Sequence, residues 1–192
     1  MPRLKAFDVD GALEKAGETF WTNGFEATSM TELLESMGIQ KGSFYATYGS
    51  KREAYLRALE QYTQARYEQL VERIDGLRPL HALRALFEWF AKDCTGDAGH
   101  RGCMIINCAL ELAHEDEEAQ AIVQRNFKSY ERLFRNLIAE GQDRGDIDAG
   151  LDAPATAKSM MAIVIGMRVF ARSGSPKSTI EALAHQAVAL VD

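Results

Sequence analysis

Apolar residues recur at helical spacing along most of this chain, and the tightest pattern lies between Ser29 and Lys51. There Met30, Leu33, Leu34 and Met37 make one apolar stripe of a short helix. Ser29 followed by Glu32 predicts a capping box, in which hydroxyl and carboxylate each take one backbone N–H left over by the first turn. Gly38 stands where a helix ends in a left-handed residue, and Ile39 then turns back toward the stripe. A second short helix follows from about Lys41 with Phe44 and Tyr48 inward, and Ser50 with Glu53 caps the next.

The same reading extends to both sides. Asp8 as N-cap opens a first helix that carries Leu13, Ala16 and Phe20 inward and ends at Gly24, with Asp10, Glu14 and Glu18 on a solvated face. The helix from Ser50 is long, because Leu56, Leu59, Tyr62, Leu70 and Ile74 keep the period until Gly76. Pro79 opens a helix with Leu83, Leu86, Phe87 and Phe90. Thr95 to Gly102 reads as a loop, and Cys103 to Ala113 as a mostly buried helix with Asn107 as its polar member. A long helix from about Asp116 to Arg144 carries Ile122, Val123, Phe127, Tyr130, Phe134, Leu137 and Ile138, and Gly145 to Leu151 is a turn. Asp152 with Pro154, and Ser175 with Pro176, match the cap-then-proline signal for two last helices. The prediction is an all-α chain: a three-helix N-terminal domain over residues 1–60 and a larger helical domain over 61–192.

Helix, glycine-bearing turn and helix make the helix-turn-helix shape, whose second helix can enter a DNA major groove. Charge refines this. The formal net charge is −6, unlike a non-specific nucleic-acid binder. In the first sixty residues, Arg3, Lys5, Lys15, Lys41, Lys51, Arg52 and Arg57 are outnumbered by acids. From Gly38 to Arg57, however, Lys41, Lys51, Arg52 and Arg57 face only Glu53. Lys41, Lys51 and Arg52 lie in first helical turns, where cations oppose the helix dipole unless a phosphate rests there. Gly42, poor inside a helix, lets the backbone approach a ligand.

The run from Phe25 to Leu56, FEATSMTELLESMGIQKGSFYATYGSKREAYL, resembles the DNA-binding domain of the TetR family of transcriptional regulators. The resemblance implies a repressor acting on a double-stranded operator. It places Lys41, Gly42, Ser43 and Tyr45 at recognition-helix contacts, and Thr28, Thr47 and Lys51 at backbone phosphates. Two departures stand out: Gln40 where a serine or threonine cap is common, and Gly49, which softens the step into the following helix.

The helix from Pro154 to Ser173 is apolar on nearly every side, and a chain this short has little to wrap it. That predicts a homodimer through the last two helices, with Ala155, Ser159, Ala162 and Gly166 allowing close approach; the alternative is a central core helix in a monomer. The resemblance implies the same. Expected effector-lining residues are Trp89, Phe90, Met104, Asn107, Phe127, Tyr130, Phe134 and Met161, which suit a small apolar ligand with Asn107 as polar anchor; the alternative is that they are core. Cys103, directly after Arg101 and Gly102 at a helix start, is a candidate sensor thiol, and GCMIINCALELA is similar to a segment of a TetR subgroup in which some members sense electrophiles or oxidants through a cysteine; the alternative is that Cys103 and Cys108 are small buried hydrophobes.

Enzymatic chemistry has no motif to carry it, and no cofactor is implied. The spacings of Cys94, His100, Cys103, Cys108 and His114 match no structural zinc pattern. The longest apolar run, Met160 to Met167, is far short of the ~20 residues of a membrane span. A polar start and three cysteines predict reduced thiols and a cytoplasmic location. The competing reading is a helical small-molecule- or metal-binding protein without DNA function.

Overall fold

The computed structural model describes residues 7–96 and 99–192; Arg3 and Lys5 of the charge count, and residues 97 and 98 of the expected loop, lie outside them. Among the described residues the regular structure is helical: α1 (Val9–Asn23), α2 (Met30–Met37), α3 (Lys41–Tyr48), α4 (Lys51–Ile74), α5 (Pro79–Thr95), a 3-10 turn Gly99–Arg101, α6 (Met104–Glu111), α7 (Glu117–Arg144), α8 (Ala153–Arg172) and α9 (Lys177–Ala189). The described residues form two compact units, 7–65 with 103–123, and 66–96 and 99–102 with 124–192.

The first unit begins as its caps dictate. The Asp8 carboxylate accepts the Gly11 N–H at 3.2 Å, and α1 buries Ala12, Ala16 and Phe20. Leu13, expected inside, is only half-buried. Ala16 and Phe20 lie inside as expected, and Ala12, four residues before Ala16, takes the place expected of Leu13. The Ser29–Glu32 capping box forms in both directions, at 3.2 and 3.0 Å. Gly38 is left-handed, with φ 67°, and the N–H groups of Gly38 and Ile39 both donate to the Leu34 carbonyl. Tyr55 of α4 meets Phe20 edge-on at 5.1 Å and Phe25 at 4.9 Å. The buried Tyr48 donates its hydroxyl to the Val9 carbonyl at 2.7 Å, tying α3 to the start of α1.

Residues 103–123 belong to this unit through contacts that no local pattern announces. The Phe25 N–H donates to the Glu111 carboxylate at 2.9 Å. Beside it Gly24 has φ 88°, a backbone that favours glycine, and a Cβ there would come within 2.7 Å of that carboxylate and displace the Glu111 side chain. Asp116 serves as N-cap of α7, accepting from the N–H groups of Glu118 and Ala119, and its two oxygens also receive Arg52 at 2.5 and 2.7 Å.

In the second unit Leu83, Leu86, Phe87, Phe134, Met160 and Met167 are fully buried in one core. Phe87 stacks on Phe134 at 5.6 Å. A partly buried polar cluster lies against it: Arg66 (2.5 Å) and the buried Arg168 share one oxygen of Asp93, and Arg66 also lies 4.5 Å over the Trp89 ring. Burial raises the Asp93 pKa, but Arg168 and Arg66 outweigh it and hold the carboxyl below its ordinary range. Asp152 caps α8 as expected, accepting from Ala155 at 3.0 Å. The last helix starts differently from the prediction: Pro176, not Ser175, occupies the N-cap position, with no side-chain cap. The Ser175 N–H closes the end of α8 on the Phe170 carbonyl at 3.0 Å, and its hydroxyl lies 3.2 Å from that of Ser173 rather than on a backbone N–H of α9.

Candidate nucleic-acid interface

The α2–α3 pair is held from beneath. Leu33 and Met37 of α2 and Phe44 and Tyr48 of α3 are buried, which fixes the rotation of α3 about its axis. Lys41, Gly42 and Ala46 are exposed, Ser43 and Thr47 half-buried, and Tyr45 is 44% exposed with its ring edge-on to Phe44 at 5.4 Å. A Cβ added at Gly42 would meet nothing within 4 Å, so the helix offers bare backbone there. Lys51 begins α4 half-buried, its ammonium 4.6 Å over the Phe25 ring and 3.5 Å from the Glu26 carbonyl. Lys41, Gly42, Ser43, Tyr45, Thr47 and Lys51 thus all stand at exposed or half-buried positions.

Thr28 is placed differently. It is 1% exposed, and its hydroxyl donates to the Gly24 carbonyl at 2.6 Å, which leaves no proton for a phosphate. The bond satisfies a carbonyl at the end of α1 that has no helical partner.

Arg52 corrects the local charge count. It is held by Asp116 and, at 3.1 Å, by Glu118, so two acids from the start of α7 offset a cation that the sequence leaves free. Arg52 drives the Asp116 carboxyl down to about 2. Arg57, passed over as a contact, donates to the Thr47 carbonyl at 3.2 Å, a favourable place for a cation near the end of α3. The remaining local cations are Lys41, Lys51 and Arg57.

The residues expected to line an effector site divide between the units. Met104 and Asn107 are buried in the first, and Asn107 already has an interaction partner. Trp89, Phe90, Phe127, Tyr130, Phe134 and Met161 belong to the second, where Phe90, Tyr130, Phe134 and Met161 are buried and Trp89 and Phe127 partly so. A cleft of about 750 Å³ in that unit has walls from α5 and α9, including Arg84, Lys92, Lys177 and His185 over Phe87 and Ala184; none of the expected residues lines it.

The three cysteines are free thiols. Cys94 and Cys108 are buried, and burial pushes the Cys108 thiol up to about 11. Cys103 is half-buried at the N-cap of α6, with the Tyr62 hydroxyl 3.8 Å from its sulfur. Among the described residues no three His, Cys, Asp or Glu side chains gather as metal ligands, and no helix is long and apolar enough to cross a membrane.

Comparison with known proteins agrees with this geometry. Residues 12–58 match the family described as bacterial regulatory proteins, tetR family, and residues 79–187 match the tetracyclin repressor-like C-terminal domain. The chain is 31% identical over 149 residues to the uncharacterized HTH-type transcriptional regulator YezE of Bacillus subtilis (strain 168), covering 77% of each. It is 29% identical over 177 residues to the HTH-type transcriptional repressor ComR of Escherichia coli (strain K12), covering 90% of this chain and 83% of that one. Its fold is similar to that of a cysteine mutant of the TetR family regulator CifR complexed with 26-bp operator DNA, with TM-score 0.87 and 28% identity over 99% of this chain and 100% of that one. With both domains matched in order across most of its length, the chain belongs to the TetR family of DNA-binding transcriptional regulators.

Proposed function

We propose that this chain is a repressor that binds a two-fold symmetric operator as a homodimer and is released by a small apolar effector. The surface of α3 carries this reading: core residues fix one side, and the other offers Lys41, Gly42, Ser43 and Tyr45 to solvent with no acid among them. In the complex these four face base edges, while Thr47 and Lys51 flank them at the phosphates. Thr28 supports the turn before α2 from beneath.

The dimer reading is supported by one side of α8. Ala155, Ser159 and Ala162 are exposed, Gly166 is half-buried, and Val169 and Phe170 are exposed, a line of small and apolar residues at helical spacing. A second copy packing α8 and α9 against this line covers it and sets the two α3 helices one duplex turn apart, ~34–36 Å. The effector reading draws on Trp89, Phe90, Phe127, Tyr130, Phe134 and Met161, with Met104 and Asn107 as further candidates. Release is a population shift, whose size equals the ligand's differential affinity for the two spacings.

Cys103 supplies a second route of release. Of the three thiols it is the one that is not buried, and it stands at a helix start. Faster alkylation at Cys103 than at a free thiol, with loss of operator binding that Cys103→Ser prevents, supports it; equal rates refute it.

The deciding experiment is selection from random duplex DNA by the full chain, beside sedimentation of the free and bound protein. Enrichment of a palindrome by a dimer is expected. Enrichment of no sequence overturns the proposal.

A further inference from the structure

Gln40 is the N-cap residue of the recognition helix, and its side chain does not cap. The polar caps Asp8, Ser29 and Asp152 each accept a backbone N–H of their own helix, whereas Gln40 makes no such bond. Asp, Asn and Ser place an oxygen within reach of the N2 or N3 N–H; the carboxamide of glutamine sits a methylene farther out and overshoots. Gln40 is exposed, and among the described residues its carboxamide bonds to no other group. A donor and an acceptor therefore stand uncommitted at the end of the helix that enters the groove first.

A second observation bears on reach. Phe44 and Tyr48 point α3 into the core, and at 100° per residue Ala46 lies about 200° and about 160° round the helix from them. The line facing directly away from the core is thus Gly42 and Ala46, both exposed, the first with open space over its Cα and the second with one methyl. Nothing on that line props the helix off the floor of the groove, so side chains at its N-terminal end can meet base edges directly. A carboxamide presents an acceptor and a donor side by side, and the major-groove edge that complements that pair is adenine, with its N6 amino donor and N7 acceptor.

We propose that Gln40 is a specificity-determining residue that reads one adenine in each operator half-site through a bidentate amide contact. The inference rests on α3 being the recognition helix. It replaces the role a short N-cap side chain has at such a position, holding the helix end, with base reading.

The test is selection of duplexes by the full wild-type chain and by Gln40→Ala, followed by a double-mutant cycle in which the candidate adenine is replaced by 7-deazaadenine, which lacks only the N7 acceptor. Selection with wild type should return a site with an adenine in each half that Gln40→Ala no longer requires. Gln40→Ala and the 7-deaza duplex should each weaken binding roughly tenfold, and together no more than either alone. Three results overturn the proposal: independent, multiplicative losses; a uniform loss on every sequence, which makes Gln40 a backbone contact; and identical selected sites for both proteins. Wild type enriching no sequence is a different failure, that of the operator reading itself. Thermal unfolding of Gln40→Ala alongside wild type separates a lost contact from a lost fold, since a non-capping side chain should leave the melting temperature unchanged.

Discussion

Replacing Gly38 with alanine isolates what holds the turn between α2 and α3. Gly38 has φ 67° and ψ 32°, and a Cβ there meets nothing within 4 Å. Steric crowding is therefore absent, and the cost is that of the left-handed backbone alone, about 1–2 kcal/mol for a residue with a Cβ. A stiffer unfolded chain returns about 0.4–1 kcal/mol, so the net loss is roughly 1 kcal/mol, or ~2–4 °C in melting temperature at this chain length. Asparagine, which tolerates this conformation, should lose less than alanine. The two bonds that close the turn, from the Gly38 and Ile39 N–H groups to the Leu34 carbonyl, are backbone bonds and survive the change. Operator affinity of the folded variant should therefore equal that of wild type. Gly145→Ala is the control, with φ 73° and open space in the other unit, and it should lose a similar amount. The measurement is denaturant unfolding at constant m, read beside operator titration. An alanine variant as stable as wild type refutes the left-handed turn, and a loss of 3 kcal/mol or more refutes the open space above it.

Lys51→Ala should weaken binding to all sequences and flatten its salt dependence, whereas Tyr45→Ala should also relax base preference; salt titrations on matched and scrambled duplexes distinguish them, and equal salt slopes for Lys51→Ala and wild type refute the phosphate assignment. Asp116→Asn keeps a capping side chain for α7 but removes the charge that Arg52 meets, so at neutral pH it should cost about 1 kcal/mol, a figure kept small by the 41% exposure of Arg52. Because the folded-state pKa of Asp116 is depressed to about 2, that contribution is complete above the unfolded pKa near 4 and disappears as pH falls toward 2. Unfolding curves of the two proteins should therefore converge with acid, and a constant gap counts against the ion pair. Ala162→Glu places a charge on the exposed line of α8 and should shift sedimentation from dimer toward monomer while leaving helicity intact; an unchanged dimer places the interface elsewhere.

What the sequence made legible was the local chemistry. Ser29, Glu32, Gly38 and Asp8 act on backbone groups within three or four residues of themselves, so their effects are written in adjacent positions. The segment 103–123 is the opposite case. It belongs with the first unit through Glu111, 86 positions from Phe25, and Asp116, 64 positions from Arg52, and nothing in either neighbourhood announces the partner. For the same reason a charge count over Gly38 to Arg57 overstated the local positive field. Thr28 shows a nearer effect, an orphan carbonyl at the end of α1 that engages its hydroxyl. Ser175 does not cap α9 because its hydroxyl meets Ser173 across the turn, a contact that the serine-proline pattern does not show.

The aromatic and methionine residues of the second unit show why lining and core read alike in a sequence. Phe134 is fully buried and stacked against Phe87, Phe90 lies 6.3 Å from Tyr130, and Tyr130 lies 5.9 Å from Tyr67. These rings fill one another's space, and of them Phe87 alone lines the cleft nearby. Side chains packed to interior density cannot admit a ligand without parting, and each lost contact has to be matched by one with the ligand. An effector that uses them therefore selects a conformer whose core is open, and its apparent affinity is reduced by the fraction of molecules in that conformer. Such a ligand distinguishes the open state from the packed one by every ring contact it replaces. That differential affinity is the quantity that can shift the equilibrium between DNA-bound and released forms.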